Sequence, residues 1–302
     1  MKVTALSGGV GGARFLRGLV DVVDPAELTV IGNVGDDLEI LGLHVSPDLD
    51  SILYALAGLS DEERGWGRAD ESWRALESAV AFGGAGWFRL GDRDVGLHLV
   101  RTELLRGGTP LSAVTAWLVE RAGLELTLLP ATDDELRTWI DTQAGSFPFQ
   151  EWFVARGHRD EVDAVRYVGA DAAASPGAVE ALRNADLILI APSNPYVSIG
   201  PILAVAELEA ALRERTAPAV AVSPLIGGRA VKGPADRMLA RLAGGTSPAH
   251  VASCYSGLID ALVLDEADAH DVESLAVRPV VTKTLMSDAA ARRRLAEAVI
   301  AA

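Results

Sequence analysis

"LSGGVGGARFLRGL" (Leu6–Leu19) is the stretch on which the fold turns. Strand-like "KVTAL" leads into it, an apolar-periodic segment from Ala13 to Val23 leaves it, and "LTVIGN" follows after Asp24-Pro25. Strand, glycine turn, helix and strand in that order form a βαβ opening, because parallel strands need a crossover helix between them. A glycine turn between strand and helix also points backbone amides, and the positive end of the helix, at one place. Gly8, Gly9, Gly11 and Gly12 permit close approach of an anion there, and they equally permit a tight structural turn. "SGGVGGA" misses the register of G-x-G-x-x-G and has no GK[ST] after it, so neither the nicotinamide nor the Walker fingerprint fits.

Outward from this turn, "PDLDSILYALAGL" reads as a helix capped by Asp48 or Asp50. Residues from about 60 to 165 are less regular and hold all six tryptophans. They are expected to form an insertion packed over the carboxyl edge of the sheet, with helices near Asp94–Arg106 and Leu111–Arg121 and strand-like "LELTLLP", "LRTWIDT" and "FQEWFVAR". Regular alternation returns with a helix near Pro176–Arg183 and "ADLILIAP", a continuous apolar run typical of a strand buried on both faces. "PAVAVSP", a helix from Ala235 to Ala243, strands in "LIDALVLDE" and "RPVVTKTLM", and a closing helix capped by Ser287 or Asp288 complete the pattern. The expected fold class is α/β, a single Rossmann-like, doubly wound, mostly parallel sheet over residues 1–302 with that central insertion.

Composition narrows the function. With 302 residues of which 49% are hydrophobic, the chain can bury a large core. A formal charge of −15 disfavours a nucleic-acid surface, which needs a basic face. Lysine occurs only as Lys2, Lys232 and Lys283, so arginine supplies most of the positive charge. Cys254 is the sole cysteine, which excludes an intrachain disulfide or a thiolate zinc site and reads as a small buried filler. Met1 passes straight into a strand, with no leader and no apolar run of about 18 residues, so no membrane association is expected and the expected compartment is the cytoplasm.

Four places hold chemistry besides the core. "NVGDD" puts Asp36 and Asp37 at the end of the second strand, some twelve residues before Asp48 and Asp50. At the carboxyl ends of an open sheet these acids face one crevice and suit Mg2+; the competing reading makes them a solvated turn and a helix cap. In "WFRLGDRDVGLHLVR", Asp94, His98 and Arg101 share a helix face, which is either a salt-bridged surface or a site wall, and Trp87 and Phe88 beside Arg89 suit a flat ring. "APSNPYVSIGP" and "SPLIGGRAVKGP" end strands with Ser193, Asn194, Ser223, Gly227, Gly228 and Lys232, the expected position of ligand loops. No G-x-S-x-G and no H-E-x-x-H occurs, which lowers hydrolase readings.

In order along the chain, "SGGVGGARFLRGL", "NVGDD", "SPDLDSILYAL", "RGWG", "LGDRDVGLHLVR", "FQEWFVARG", "APSNPYVSIGPIL", "VSPLIGG", "VKGPADRM" and "TLMSD" resemble the 2-phospho-L-lactate transferase family of coenzyme F420 biosynthesis, with its phosphoenolpyruvate transferase branch. The resemblance implies transfer of a phospholactyl or phosphoenolpyruvyl group from a GDP-linked three-carbon acid donor to the ribityl hydroxyl of 7,8-didemethyl-8-hydroxy-5-deazariboflavin, with GMP released. It implies Mg2+ at Asp36, Asp37, Asp48 and Asp50, with Asp36 and Asp50 catalytic and Asp50 preferred as the base. Donor contacts fall on Gly8, Gly9, Gly11, Gly12, Ser193, Asn194, Ser223 and Gly227; deazaflavin contacts fall on Asp50, Trp87, Arg89, Asp92 and Arg93. A homodimer is implied as well. The alternative is a non-catalytic nucleotide- or nucleotide-sugar-binding regulator of the gluconeogenesis-factor type, which shares a glycine-rich opening; the "PDLD" and "LGDRD" blocks side with the transferases.

Overall fold

Seven strands run parallel through the middle of the molecule, and the order in which they lie is what creates a site. The computed structural model describes residues 1–302. In chain order the strands are β1 (Val3–Ser7), β2 (Leu28–Gly32), β3 (Leu38–Ile40), β4 (Leu43–Val45), β5 (Thr127–Pro130), β6 (Arg137–Thr142), β7 (Gly145–Pro148), β8 (Ala164–Val168), β9 (Leu187–Ile190), β10 (Ala219–Val222), β11 (Leu225–Ile226), β12 (Arg229–Ala230), β13 (Ala261–Asp265) and β14 (Arg278–Thr282). The central sheet has the order β14-β13-β10-β9-β1-β2-β5, and every neighbouring pair is parallel. The chain winds from β1 outward through β2 to β5, then returns to the other side of β1 and winds outward through β9, β10, β13 and β14. A reversal of this kind separates the loops after β1 and β9 and opens a crevice at their carboxyl ends. Helices cover both faces, so β9 and β10 are buried at every residue, as the apolar runs "LILI" and "AVAV" require.

The first helix, α1 (Gly9–Leu19), begins four residues before the apolar periodicity announces it. Its opening turn is made of the glycines themselves, because the turn packs against the loop after β9: a Cβ on Gly11 would stand 2.7 Å from the carbonyl oxygen of Pro192. The second helix, α2 (Pro47–Leu56), is capped by Ser46 rather than by Asp48 or Asp50, which lie inside its first turn and are free to face the crevice.

The stretch 60–165 divides in two. Its first part contains helices α3 (Arg74–Ala81), α4 (Asp92–Arg106) and α5 (Leu111–Arg121). "LELTLLP" then supplies β5, which pairs with β2 as the edge of the central sheet and is no part of an insertion. The second part is an antiparallel sheet in the order β7-β6-β8 that runs on to Val168. "FQEWFVAR" is not a strand: Glu151–Ala155 form a single wide helical turn. Phe149, Trp152 and Phe153 recur at three- and four-residue spacing, the period of a helix, and their aromatic β-preference misleads when read alone. Phe149 and Trp152 join Ile140, Val162, Val197 and Met238 in a small second core that binds this sheet to the main body. A β3–β4 hairpin follows "NVGDD" and returns the chain to α2. No single helix is long and apolar enough to cross a membrane.

The closing helix, Ala289–Ile300, has the expected Asp288 cap, whose Oδ1 accepts from the Ala291 amide at 2.8 Å. It lies across α1 so tightly that a Cβ on Gly18 would stand 2.5 Å from the backbone of Arg292. Gly18→Ala therefore gains about 1 kcal/mol of helix propensity and loses more to the clash, with an expected net destabilisation of about 1–3 kcal/mol. Gly96 lies in α4 with nothing within 4 Å of its missing Cβ. Gly96→Ala is expected to stabilise by about 0.5–1 kcal/mol. Thermal melts of the two variants should move in opposite directions.

Candidate active site

The crevice at the reversal is a cavity of about 590 Å³, within the range that suits small-molecule ligands. Gly8, Gly9 and Gly11 line it from the β1–α1 turn, and Ser193 and Asn194 from the loop after β9. The Ser193 hydroxyl donates to the Gly8 carbonyl at 2.7 Å and so ties the two loops together across the switch point. Gly9 has φ +68°, a conformation that only glycine adopts without strain, and a Cβ on Gly8 would stand 2.6 Å from Asp48 Oδ2. Asp48 thus sits directly against the turn, and the positive end of α1 already faces a carboxylate.

Asp36, Asp37, Asp48 and Asp50 are all at most 6% exposed, but they do not share one role. Asp50 lines the cavity while both of its oxygens are bound to Arg101: Nη1 donates to Oδ2 at 2.9 Å, and Nη2 pairs with Oδ1. Asp37 lies outside the cavity lining, where its Oδ2 accepts from the Ser46 hydroxyl at 2.8 Å and meets His44 Nε2 at 3.1 Å. Asp36 and Asp48 remain. Asp48 Oδ2 accepts from the Asn33 amide at 2.8 Å, while Asp36 Oδ1 is buried with no partner, as is Asp37 Oδ1 outside the lining. Burial first, and the charge of Asp48 second, push the Asp36 carboxyl well above its ordinary range. Burial raises Asp48 to about 6, against a partial offset from Asn33 and the Gly9 amide.

Two buried carboxylates that disfavour each other's charge, one with an unpartnered oxygen, fit a divalent cation. No group of three His, Cys, Asp or Glu side chains stands ready as a complete ligand set. Mg2+ commonly takes one or two protein carboxylates and completes its shell with water and substrate phosphate, so Asp36 and Asp48 are the pair that would hold it.

The aromatic wall comes from both parts of the 60–165 stretch. Trp66, Trp87, Phe88 and Arg89 contribute from the first, and Phe149 and Phe153 from the second. Trp87 and Phe88 meet edge to face at 5.7 Å, and the Arg89 guanidinium lies 4.4 Å above the Trp73 ring, which fixes it beside the cavity. Below this wall, the Tyr54 hydroxyl donates to Asp94 Oδ1 at 2.5 Å, and His98 lies between Asp94 at 3.3 Å and Asp50 at 3.8 Å. Burial opposes the charge on Asp94, but the hydrogen bonds and charge of His98, with Tyr54, hold its carboxyl below the ordinary range. The shared helix face of Asp94, His98 and Arg101 is therefore a buried network and not a solvated salt bridge.

Several expected contacts fall elsewhere. Asp92 accepts from the Ser72 hydroxyl and the Ala75 amide, and Arg93 pairs with Asp70, so both secure the start of α4 outside the cavity lining. Gly12 is buried against Ser7 and Ser193, and the Gly227 amide donates to Asp268 at 2.9 Å; neither lines the cavity, whereas Ser223 does. Asn33, Tyr54, Asp94 and Phe149 are the cavity's additional supports. Asn33 stands in "NVGDD" directly after β2, where its position was the available signal.

A profile of the 2-phospho-L-lactate transferase CofD family matches residues 3–301. The chain belongs to that family. It is 44% identical over 306 residues to a phosphoenolpyruvate transferase of Streptomyces griseus, covering 98% of this chain and 96% of the relative. It is 41% identical over 314 residues to a phosphoenolpyruvate transferase of Mycobacterium tuberculosis, covering 95% and 94%. Two crystal structures of a protein from Bacillus halodurans, one described as a member of the UPF0052 family, superpose with TM-scores of 0.67 and 0.68 at 18% identity over 99% of both chains, which shows the fold in common. Family membership makes the chain a transferase with a phospho-transfer role in coenzyme F420 biosynthesis.

The electrostatics of this family member yield two expectations. Arg101→Met leaves Asp50 buried and unpaired and should cost about 3–5 kcal/mol, while Arg101→Met combined with Asp50→Leu should recover most of that loss in denaturant titrations. For Asp36 and Asp48 the folded carboxyls sit above their unfolded values. Their contribution to stability is therefore intact below about pH 4 and falls as pH rises through the raised values, near 6 for Asp48. Asp36→Asn removes one of the two charges. In metal-free buffer its Tm should equal that of the parent near pH 4 and exceed it by roughly 2–4 °C at pH 7, about 1 kcal/mol.

Proposed function

We propose that this chain transfers a phosphoenolpyruvyl group from a GDP-linked donor to the terminal ribityl hydroxyl of 7,8-didemethyl-8-hydroxy-5-deazariboflavin, releasing GMP. The observation that supports this reading best is the Asp36–Asp48 pair, buried beside a glycine turn and facing a cavity with an aromatic wall. The enolpyruvyl donor is preferred to the lactyl one because relatives at 41–44% identity are phosphoenolpyruvate transferases.

In this reading the acceptor oxygen attacks the phosphorus that bears the three-carbon acid. The new P–O bond forms as the bond to the bridging oxygen breaks, and GMP departs with that electron pair. Asp36, which lines the cavity, takes the hydroxyl proton on the carboxylate oxygen that a cation would leave free. Asp50 does not serve as the base, because Arg101 holds both of its oxygens and makes it a positioning residue at the cavity wall. Asp36 and Asp48 would hold Mg2+, which when bound would offset charge on the donor's phosphate oxygens. Gly8, Gly9, Gly11, Ser193 and Asn194 orient the diphosphate, and Trp87, Phe88 and Arg89 flank the deazaflavin ring. Aromatic walls also exclude water, which would compete with the ribityl hydroxyl as nucleophile.

The test is incubation with the deazaflavin, Mg2+ and either the enolpyruvyl or the lactyl donor, followed by mass spectrometry. GMP and a phosphodiester of the deazaflavin should accumulate together, faster with the enolpyruvyl donor. Asp36→Asn should lower turnover by about 10²-fold or more without lowering Tm. Tight nucleotide binding with no phosphodiester from either donor would overturn the reading in favour of a non-catalytic regulator.

A further inference from the structure

Arg14 and Lys232 stand out in an acidic chain because neither has a carboxylate partner. Most of the arginines that line or neighbour the cavity are committed: Arg101 binds Asp50, Arg89 lies over Trp73, Arg17 Nη1 donates to the Ala55 carbonyl at 2.6 Å, and Arg292 pairs with Glu62 at 3.5 Å. Arg14 makes no ion pair and no side-chain hydrogen bond, although it projects from the second turn of α1 into the cavity. It also borders a smaller side cavity of about 190 Å³, and with Val10, Ser51, Trp66 and Gly67 it lines both spaces.

Lys232 reaches the same cavity from the loop after β12, and its ammonium donates to the Gly65 carbonyl at 2.8 Å. That bond stretches the 231–234 segment across to the loop that contains Trp66 and Gly67, two further residues of the lining. Burial, and then the charge of Arg14, depress the Lys232 ammonium below its ordinary range, so the two cations are near enough to repel. Two mutually repelling cations in one cavity, neither of them paired with any of its carboxylates, are a site built for an anion.

The glycine turn explains why such a site is needed. Asp48 occupies the amino end of α1, where an anion would otherwise find the helix dipole and free amides. An anionic donor must therefore find much of its countercharge elsewhere in the cavity. We propose that Arg14 and Lys232 form a cationic clamp that binds an anionic group of the donor, either a diphosphate oxygen or the carboxylate of the three-carbon acid. This rests on the transferase reading above. Arg14 presents a planar fork to paired oxygens, and Lys232 a point charge fixed by Gly65.

The experiment measures binding and turnover for Arg14→Gln, Arg14→Lys and Lys232→Met, with GDP and the enolpyruvyl donor as probes. Each protein is first checked by thermal melt, and deazaflavin affinity by fluorescence serves as the internal control for an intact cavity. If the clamp holds the diphosphate, calorimetry should show GDP binding weakened by about tenfold or more in Arg14→Gln and Lys232→Met, with deazaflavin affinity unchanged. If it holds the carboxylate, GDP binding stays level while KM for the enolpyruvyl donor rises by about tenfold or more. Arg14→Lys should recover part of either loss. GDP affinity and donor KM both within about twofold of the parent in Arg14→Gln and Lys232→Met would overturn the clamp. Failure of the parent protein itself to bind GDP or to form product would instead overturn the transferase reading, so the two failures are distinct.

Discussion

The position of β1 between β2 and β9 is the constraint on which the site depends. Because the strand order reverses there, the loops after β1 and β9 diverge, and the Ser193 hydroxyl spans the gap by donating to the Gly8 carbonyl at 2.7 Å and accepting from the Gly8 amide at 3.5 Å. Each polar group of the cavity is placed relative to that gap. Asp36 follows β2, one strand over; Asp48 and Asp50 arrive on the first turn of α2; Ser223 follows β10 on the opposite side. A sheet wound in one direction only would have kept these loops packed against one another and left no space for a ligand.

Within this frame the four aspartates divide according to what neutralises them. Asp50 has Arg101, and Asp37 has Ser46 and His44, contacts that join α2 to α4 and the hairpin to the start of α2. Asp36 and Asp48 have no cation beside them, only the neutral amides of Asn33 and Gly9, and their charge is left to be matched by what enters the cavity. The cost of keeping two such groups buried is the reason that removing one of them should stabilise the empty protein.

Much of this was legible in the sequence. The β1–α1 turn, the apolar runs of β9 and β10, and the ordered blocks shared with the transferase family lead to the doubly wound sheet, and their carboxyl ends to the cavity. What was not legible depends on partners distant in sequence. The "PDLD" acids look like a helix cap until Ser46 is seen in that position, with its hydroxyl turned to Asp37. "LELTLLP" looks like part of an insertion because only pairing with β2 reveals its sheet. Asp92 and Arg93 share a block with the true lining residues, yet the start of α4 directs them to Ser72 and Asp70. The bond from Arg101 to Asp50, 51 positions apart, is likewise a contact that no local pattern announces.

The contact between Gly18 and the backbone of Arg292 reaches further than packing. It makes the helix that carries the glycine turn lean on the helix Ala289–Ile300, so the first ligand-facing element is held in place by one remote from it in sequence. The opening of the cavity therefore depends on a helix that contributes no residue of its own to the glycine turn, and a substitution far from the ligand-facing side chains can still shift where they stand.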